Sequence, residues 1–330
     1  MNRSPQSIKP GVCVEGFLEY KTAEGLSAAT LYSYKEHLKT FTERIGERAV
    51  SDITAADVRA YLNWMRSDYK PRRFGGNTAP LAPKTIRNIW ISLAAFFRWA
   101  SSEFNFESPM KGVPPPKFEY PPVEPFTKEE IERLLKACEF SREAKTEARR
   151  KFVMRRPTAN RDRALILLLV DTGLRAGELC SLKIGDLEKG TGKVHIKHGK
   201  AGGAKGGKGR FVYLGKAARR AMWRYLADRE DGQDAEAPLF IGKFNRTMKR
   251  DVLLKLIERT GERAGISHCH PHRFRHTFAI TYLRSGGDLF TLQAMLGHRT
   301  LEMVQHYARI AQVDVQDAHR RASPADNWRL

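Results

Sequence analysis

Acidic residues are in short supply in this sequence. Only 37 Asp and Glu stand against 58 Lys and Arg, so the 330-residue chain carries a formal charge of +21. A surplus of that size opposes compaction by self-repulsion and suits a polyanionic partner, of which nucleic acid is the commonest. Cysteine is scarce as well: Cys13, Cys138, Cys180 and Cys269 lie far apart, and no two form a CxxC pair. That excludes a disulfide framework and suits a reducing compartment, so the expected location is cytoplasmic. Long hydrophobic runs are missing. The longest, Ala164–Val170, is seven residues, whereas a bilayer span takes about 20. The opening stretch MNRSPQSIKPGVCVEGF holds no apolar run fit for a signal peptide, so no membrane is expected as a partner. Internal repeats are absent too.

Proline is unevenly spread, and its concentration marks the clearest seam. VPPPKFEYPPVEP holds six prolines between Pro114 and Pro125. Proline fixes φ and disfavours helix before it, which predicts an extended, stiff connector over 114–125. The next segment starts with Thr127 and Glu130 at capping-box spacing, followed by Ile131, Leu134, Leu135 and Cys138 at helical intervals. Upstream, three amphipathic helices are expected. Their stripes are Leu31, Tyr34, Leu38 and Phe41; then Val58, Tyr61, Leu62 and Met65, capped by Thr54; then Ile86, Ile89, Leu93 and Phe97. Residues 1–113 are therefore expected to form a small all-helical domain. Arg72, Arg73, Lys84 and Arg87 sit in or beside its loop at 70–85, placed either to face DNA or as solvated surface charge. Downstream, KVHIKH and RFVYL read as strands joined by a Gly/Lys-rich stretch, a β-hairpin within a mostly helical domain. Residues 141–163 add a second positive patch, with nine basic and three acidic side chains.

Several clusters carry chemistry. Gly202 to Lys208 fits G-x-x-x-x-G-K, but Gly209 follows where a magnesium-binding hydroxyl belongs, and a strand follows where a helix belongs. A loop that carries Lys200, Lys205 and Lys208 toward phosphate fits better than a nucleotide site. In DTGLRAGELCSL an apolar helix is expected to end at Gly173, with Arg175 next to a core element. That arginine needs either Glu178 or a ligand phosphate as partner. HCHPHRFRH (268–276) packs four histidines, a cysteine and two arginines into nine positions. With Pro271 in the first turn of a helix, His272 and Arg275 share a face with His276 beside them, and Arg273 points elsewhere. No second Cys/His cluster has metal spacing, and the arginines would repel a dication, so no metal is expected. An Arg/His face suited to phosphate oxygens is the better reading. Further on, Leu289, Leu292 and Leu296 predict a helix stopped by Gly297, with His298 in the turn. Thr300 is placed to cap the next helix, which brings Tyr307 within two turns as a half-buried tyrosine.

The pieces occur in one order: TGLRAGEL, a lysine hairpin, PHRFRHTFA, then LGH with a tyrosine nine residues after the histidine. Over nearly its whole length the chain resembles the tyrosine recombinases, or phage integrases. The resemblance implies a mainly α fold. It consists of an all-helical N-terminal core-type DNA-binding domain and, over 126–310, a mostly helical catalytic domain containing a small antiparallel β-sheet or hairpin. It also implies that Arg175, His272, Arg275 and His298 bind the scissile phosphate, that Lys205 or a neighbouring lysine serves from the hairpin, and that Tyr307 is the nucleophile. Glu178 falls where the family keeps a supporting carboxylate. Arg210, Lys200 and Lys208 are further candidates for DNA contact. No cofactor is implied. The implied partners are double-stranded DNA with specific sites and further copies of the chain, as a tetramer on two sites built from chains that are monomers off DNA. The tail 311–330 is either the segment that links neighbouring protomers, as the resemblance implies, or a frayed terminus.

Residue chemistry agrees. A tyrosine hydroxyl has a pKa near 10 and attacks poorly without a base or a positive field, whereas two guanidiniums on rigid elements can grip the phosphate oxygens in the transition state. A lysine can protonate the departing 5′-oxygen, and the resemblance implies that the step leaves a 3′-phosphotyrosyl link, which another strand's 5′-hydroxyl reverses. The motif helix departs from the family pattern at Arg273, where an acidic residue is common. The glycine-rich hairpin is also long; counting back from Arg210 favours Lys205. A type IB topoisomerase-like relaxing enzyme and a non-catalytic DNA-binding protein are the alternatives. The separate N-terminal domain speaks against the first, and the complete set of six site residues against the second.

Overall fold

The computed structural model describes residues 8–71, 78–119, 124–141, 144–146, 149–197, 209–298, 300–311, 319 and 323–328. Arg72, Arg73, Lys200, Lys205 and Lys208 lie outside them, as does 312–318 of the tail. The chain divides into two units, Met1–Pro121 and Pro122–Leu330, a division that falls within the proline-rich stretch.

The first unit consists of α1 (Pro10–Ala23), α2 (Ala28–Ile45), α3 (Ala55–Ser67) and α4 (Pro83–Phe104). Local signals set the starts: Ser27 accepts from the Thr30 amide, and Thr54 forms a capping box with Asp57. Apolar stripes then close on one core, in which Phe17, Phe41, Phe96 and Phe97 are wholly buried. The rings meet edge-on, Phe41 at 5.0 Å from Tyr61 and 5.8 Å from Phe97, the geometry that a ring quadrupole favours. Helix α1 was not among the three helices expected from the stripes. Its buried residues, Pro10, Cys13, Val14 and Phe17, have helical spacing, but Gly11 and Gly16 dilute the signal. At Gly16 the missing side chain lets Trp99 come close, since a Cβ there would lie 3.3 Å from its ring. Lys84 is exposed in the first turn of α4. The Arg87 guanidinium donates to the Pro116 carbonyl at 3.0 Å and lies over the Phe118 ring, so it helps to hold the start of the connector.

The second unit runs α5 (Lys128–Glu139), β1 (Ala144–Thr146), β2 (Arg149–Phe152), α6 (Ala159–Thr172), α7 (Ala176–Ser181), β3 (Leu187–Glu188), β4 (Lys193–Ile196), β5 (Arg210–Tyr213), α8 (Lys216–Ala227), α9 (Arg250–Ala264), α10 (Pro271–Arg284), α11 (Leu289–Leu296) and α12 (Glu302–Ala311). The expected hairpin is β4–β5, and the two-residue β3 extends it to a three-stranded antiparallel sheet. The apolar run in α6 is the buried centre, packed by α5, α8 and α10. The positive patch at 141–163 is partly turned inward. Arg156 and Arg161 both pair with the fully buried Asp162, and Arg163 pairs with Glu139. Thr300 stands outside α12, whose first amide bonds go to the Leu301 carbonyl. Among the described residues no helix is long and apolar enough to cross a membrane.

Candidate active site

Two chain reversals in the second unit, at Gly173 and Gly297, build the site. At the first, α6 ends on Gly173 with φ of 59°, a left-handed conformation that strains any residue with a side chain. A Cβ there would also lie 2.7 Å from the Phe278 ring. The reversal makes Arg175 the residue that starts α7, and Glu178 reaches back to it. One Glu178 oxygen accepts the Arg175 amide at 2.9 Å and the other its guanidinium at 2.9 Å. Arg175 thus has the carboxylate partner and still keeps 30 % of its side chain exposed, while Glu178 is 1 % exposed.

From β5, Arg210 also reaches Glu178, its two terminal nitrogens donating at 3.0 and 2.8 Å, and its Nε donates to the Met295 carbonyl at 2.7 Å. This corrects the expectation that Arg210 contacts DNA: it is buried. Strand alternation is the reason. Arg210 and Val212 face inward while Phe211 and Tyr213 face solvent. Burial alone would raise the Glu178 carboxyl, but Arg210, followed by Arg175, holds it below its usual range.

The second reversal, like the first, is held by Arg275 on α10. This buried guanidinium donates to the Gly173 carbonyl at 2.8 Å, to the Leu296 carbonyl at 2.7 Å and to Nε2 of His298 at 2.8 Å. It thereby joins the end of α6 to the end of α11, which Gly297 closes with φ of 64°. Burial, and then Arg175, lower Arg275 to about 10, still a cation at neutral pH. Because Nε2 of His298 accepts from an arginine, its proton sits on Nδ1. That atom is buried without a hydrogen-bond partner among the described residues, a cost that an anionic oxygen would relieve. Burial, then Arg275 and Arg175, push His298 down to about 4, so it is neutral.

Tyr307 on α12 is buried, with its ring stacked on that of His298 at 6.1 Å and 14°. Burial raises its phenol, against the pull of Arg275 and Arg175. The hydroxyl lies 3.0 Å from Nδ1 of His276, a residue that the sequence motifs placed beside the pocket without a role. The only sequence signal is that His276 stands four residues after His272 and so shares its helix face. His272 is exposed on that face and is lowered by partial burial and then by Arg275. Arg273 turns away, as expected from the helix. It donates to Glu130 at 2.8 Å and to the Glu124 carbonyl at 3.1 Å, over the Phe126 ring. The departure from the family pattern therefore serves to fasten α10 to α5. Among the described residues no group of three or more His, Cys, Asp and Glu side chains is placed to hold a metal ion. The site offers two guanidiniums, a neutral imidazole N–H and a phenol whose hydroxyl meets an imidazole. It is a set suited to holding a phosphodiester beside a nucleophile.

Comparison with known proteins agrees. The phage integrase family matches residues 124–313, more than half of the chain, and the phage integrase N-terminal SAM-like domain matches 14–103. The tyrosine recombinase XerC of Corynebacterium efficiens is 28% identical over 98% of this chain and 95% of its own length. Tyrosine recombinase XerA of Thermococcus kodakarensis is 27% identical over 95% and 96%. Among solved structures, a lambda integrase dimer bound to a COC′ core site superposes with a TM-score of 0.68 at 18% identity, covering 92% of this chain and 78% of that one. XerH recombinase in a post-cleavage complex with a palindromic difH substrate gives 0.65 at 23% identity, covering 93% and 82%. These likenesses show a shared fold. With its family domains matched in both units, the chain belongs to the phage integrase family of tyrosine recombinases, enzymes that break and rejoin DNA strands.

Proposed function

We propose that the pocket cuts DNA by attack of Tyr307 on a phosphodiester held by Arg175, Arg275, His272 and His298, and that the chain recombines two DNA sites by this step. The phenolic oxygen forms a bond to phosphorus, the bond from phosphorus to the 5′-oxygen breaks, and a hairpin lysine, Lys205 by count from Arg210, protonates the leaving oxygen. A 3′-phosphotyrosyl link conserves the bond energy, and the 5′-hydroxyl of a second strand reverses the step. Glu178 and Arg210 keep Arg175 in place. The observation that carries the reading is the joint burial of the Tyr307 ring against His298 and of His298 against Arg275. It sets a tyrosine of the apolar cluster formed by α10, α11 and α12 beside two cations and an orphaned N–H. Exchange needs four copies on two sites, and the solved lambda integrase complex, a dimer on a core site, supports assembly on DNA. A suicide duplex nicked beside the cleavage position tests the proposal. The wild-type chain should trap a covalent adduct on a denaturing gel and Tyr307→Phe should trap none while still binding DNA; an adduct from the variant overturns it.

A further inference from the structure

The pocket holds one group that this scheme leaves idle. The scheme assigns Arg175, Arg275, His272 and His298 to the phosphate and a lysine to the leaving group, and among the described residues neither His272 nor His298 has a hydrogen bond to the Tyr307 hydroxyl through which to take its proton. A hydroxyl whose pKa is raised by burial needs an acceptor to attack at neutral pH. His298 cannot be that acceptor, because its Nε2 is engaged by Arg275 and its Nδ1 already carries the proton. Among the described residues the Tyr307 hydroxyl meets two side chains, the Arg275 guanidinium, which can only donate, and Nδ1 of His276 at 3.0 Å, which can accept a proton. The two residues come from different helices, α10 and α12, which pack directly on each other.

We infer that His276 is the residue that orients the Tyr307 hydroxyl and accepts its proton as the phenolic oxygen attacks phosphorus. The inference rests on the reading of Tyr307 as nucleophile. The step balances: the O–H bond of Tyr307 breaks, its proton passes to Nδ1 of His276, the oxygen–phosphorus bond forms and the bond to the 5′-oxygen breaks. On reversal the proton returns to the departing phenolate. The groups facing the imidazole are His270, His272 and Arg275 from α10 and its cap, and His306 and Tyr307 from α12. Burial first, and then those histidines and Arg275, hold His276 near 4 in the free protein. An arriving phosphodiester brings negative charge against Arg275 and lifts that restraint, because a nearby anion favours protonated imidazole. His276 thus becomes a competent base when DNA occupies the pocket, which couples activation of the nucleophile to binding.

His276→Asn decides the matter, since an amide oxygen can still accept the hydroxyl's hydrogen bond but takes no proton. The probe is a duplex selected by the full-length protein from a random-sequence pool and nicked beside its cleavage position. Single-turnover adduct formation should slow by about 10²- to 10⁴-fold in the variant, the usual share of a general base, with DNA affinity at the wild-type value. The remaining rate should rise in proportion to hydroxide, whereas the wild-type rate should stay flat from about pH 6 to about pH 9. Replacing Tyr307 by a fluorinated tyrosine, a more acidic phenol, should restore much of the rate to the variant. A wild-type rate in His276→Asn would overturn the inference, as would a slow rate with an unchanged pH profile and no rescue. Tyr307→Phe separates the failures. An adduct in that variant removes the nucleophile, whereas a silent Tyr307→Phe beside a normal His276→Asn removes only the role of His276.

Discussion

Phe41 and Glu178 are both sealed from solvent, yet they support their units in different ways. Phe41 packs edge-on against Tyr61 and Phe97 in a core of aromatic and aliphatic side chains. Glu178 sits between Arg175 and Arg210, and its worth depends on both cations staying in place. Dispersion and area burial are non-directional, so a core of the first kind survives substitution of similar volume. A buried ion network is directional. Removing one charge strands the others in low dielectric. The first unit thus gains stability from shape, whereas the second commits part of its interior to holding two guanidiniums where they can act.

The largest effect should come from setting the two kinds of interior against each other. Glu178→Gln keeps the volume and removes the charge, and should cost about 3–5 kcal/mol, the range for breaking a buried pair. Leu93→Met, an equally silent change of volume in the first unit, should cost less than about 1.5 kcal/mol. Hydrogen exchange on the full chain reads both, unit by unit. Equal losses would erase the contrast.

Acid should separate the units next. An unfolded histidine takes up a proton near pH 6.5, whereas folded His276 and His298 are held to about 4. Below pH 6.5 the unfolded chain therefore binds more protons, so the second unit should lose stability as pH falls from 6.5 and stop losing it to these groups near 4. In the first unit His37 is shifted the same way, by burial, but Asp57 is held to about 2 by Arg48 and then Thr54, and its share is lost only between about pH 4 and 2. Exchange protection measured at pH 7, 5.5 and 4.5 should fall more steeply in the second unit, and parallel curves would contradict this.

Gly173→Ala should be milder. A left-handed residue with a side chain costs roughly 1–2 kcal/mol, and the contact with Phe278 must also yield. Because the Gly173 carbonyl anchors Arg275, cleavage should slow by more than the loss of stability explains. A variant with normal cleavage would detach the anchor from the pocket. The smallest effect should be indifferent to the contrast. Thr54→Ala and Thr127→Ala break the same capping box in the two units and should each cost about 1 kcal/mol. A large difference between them would mean that the units differ in more than their interiors.

Much of this was legible in the sequence where the signal is local. The cap at Thr54, the capping box at Thr127, the stops at Gly173 and Gly297, and the helix opened by Pro271 follow from residue type alone. The convergence of Arg175, Arg275, His298 and Tyr307 came from ordered motifs, not from periodicity. What escaped depends on contacts distant in sequence. Arg210 reads as one more surface cation until the strand's inward face and Glu178, 32 residues away, are known. His276 reads as a neighbour of the motif until α12 brings a hydroxyl to it across 31 residues. Helix α1 hid because its two glycines weaken an otherwise regular stripe.

The proposed covalent bond between Tyr307 and DNA can be read chemically. Adduct trapped on a nicked duplex should be digested with trypsin and nuclease and its peptides sequenced by mass spectrometry. The peptide spanning 300–309 should carry a 3′-phosphonucleotide on Tyr307. A nucleotide on any other side chain, or one joined through its 5′-phosphate, would contradict it.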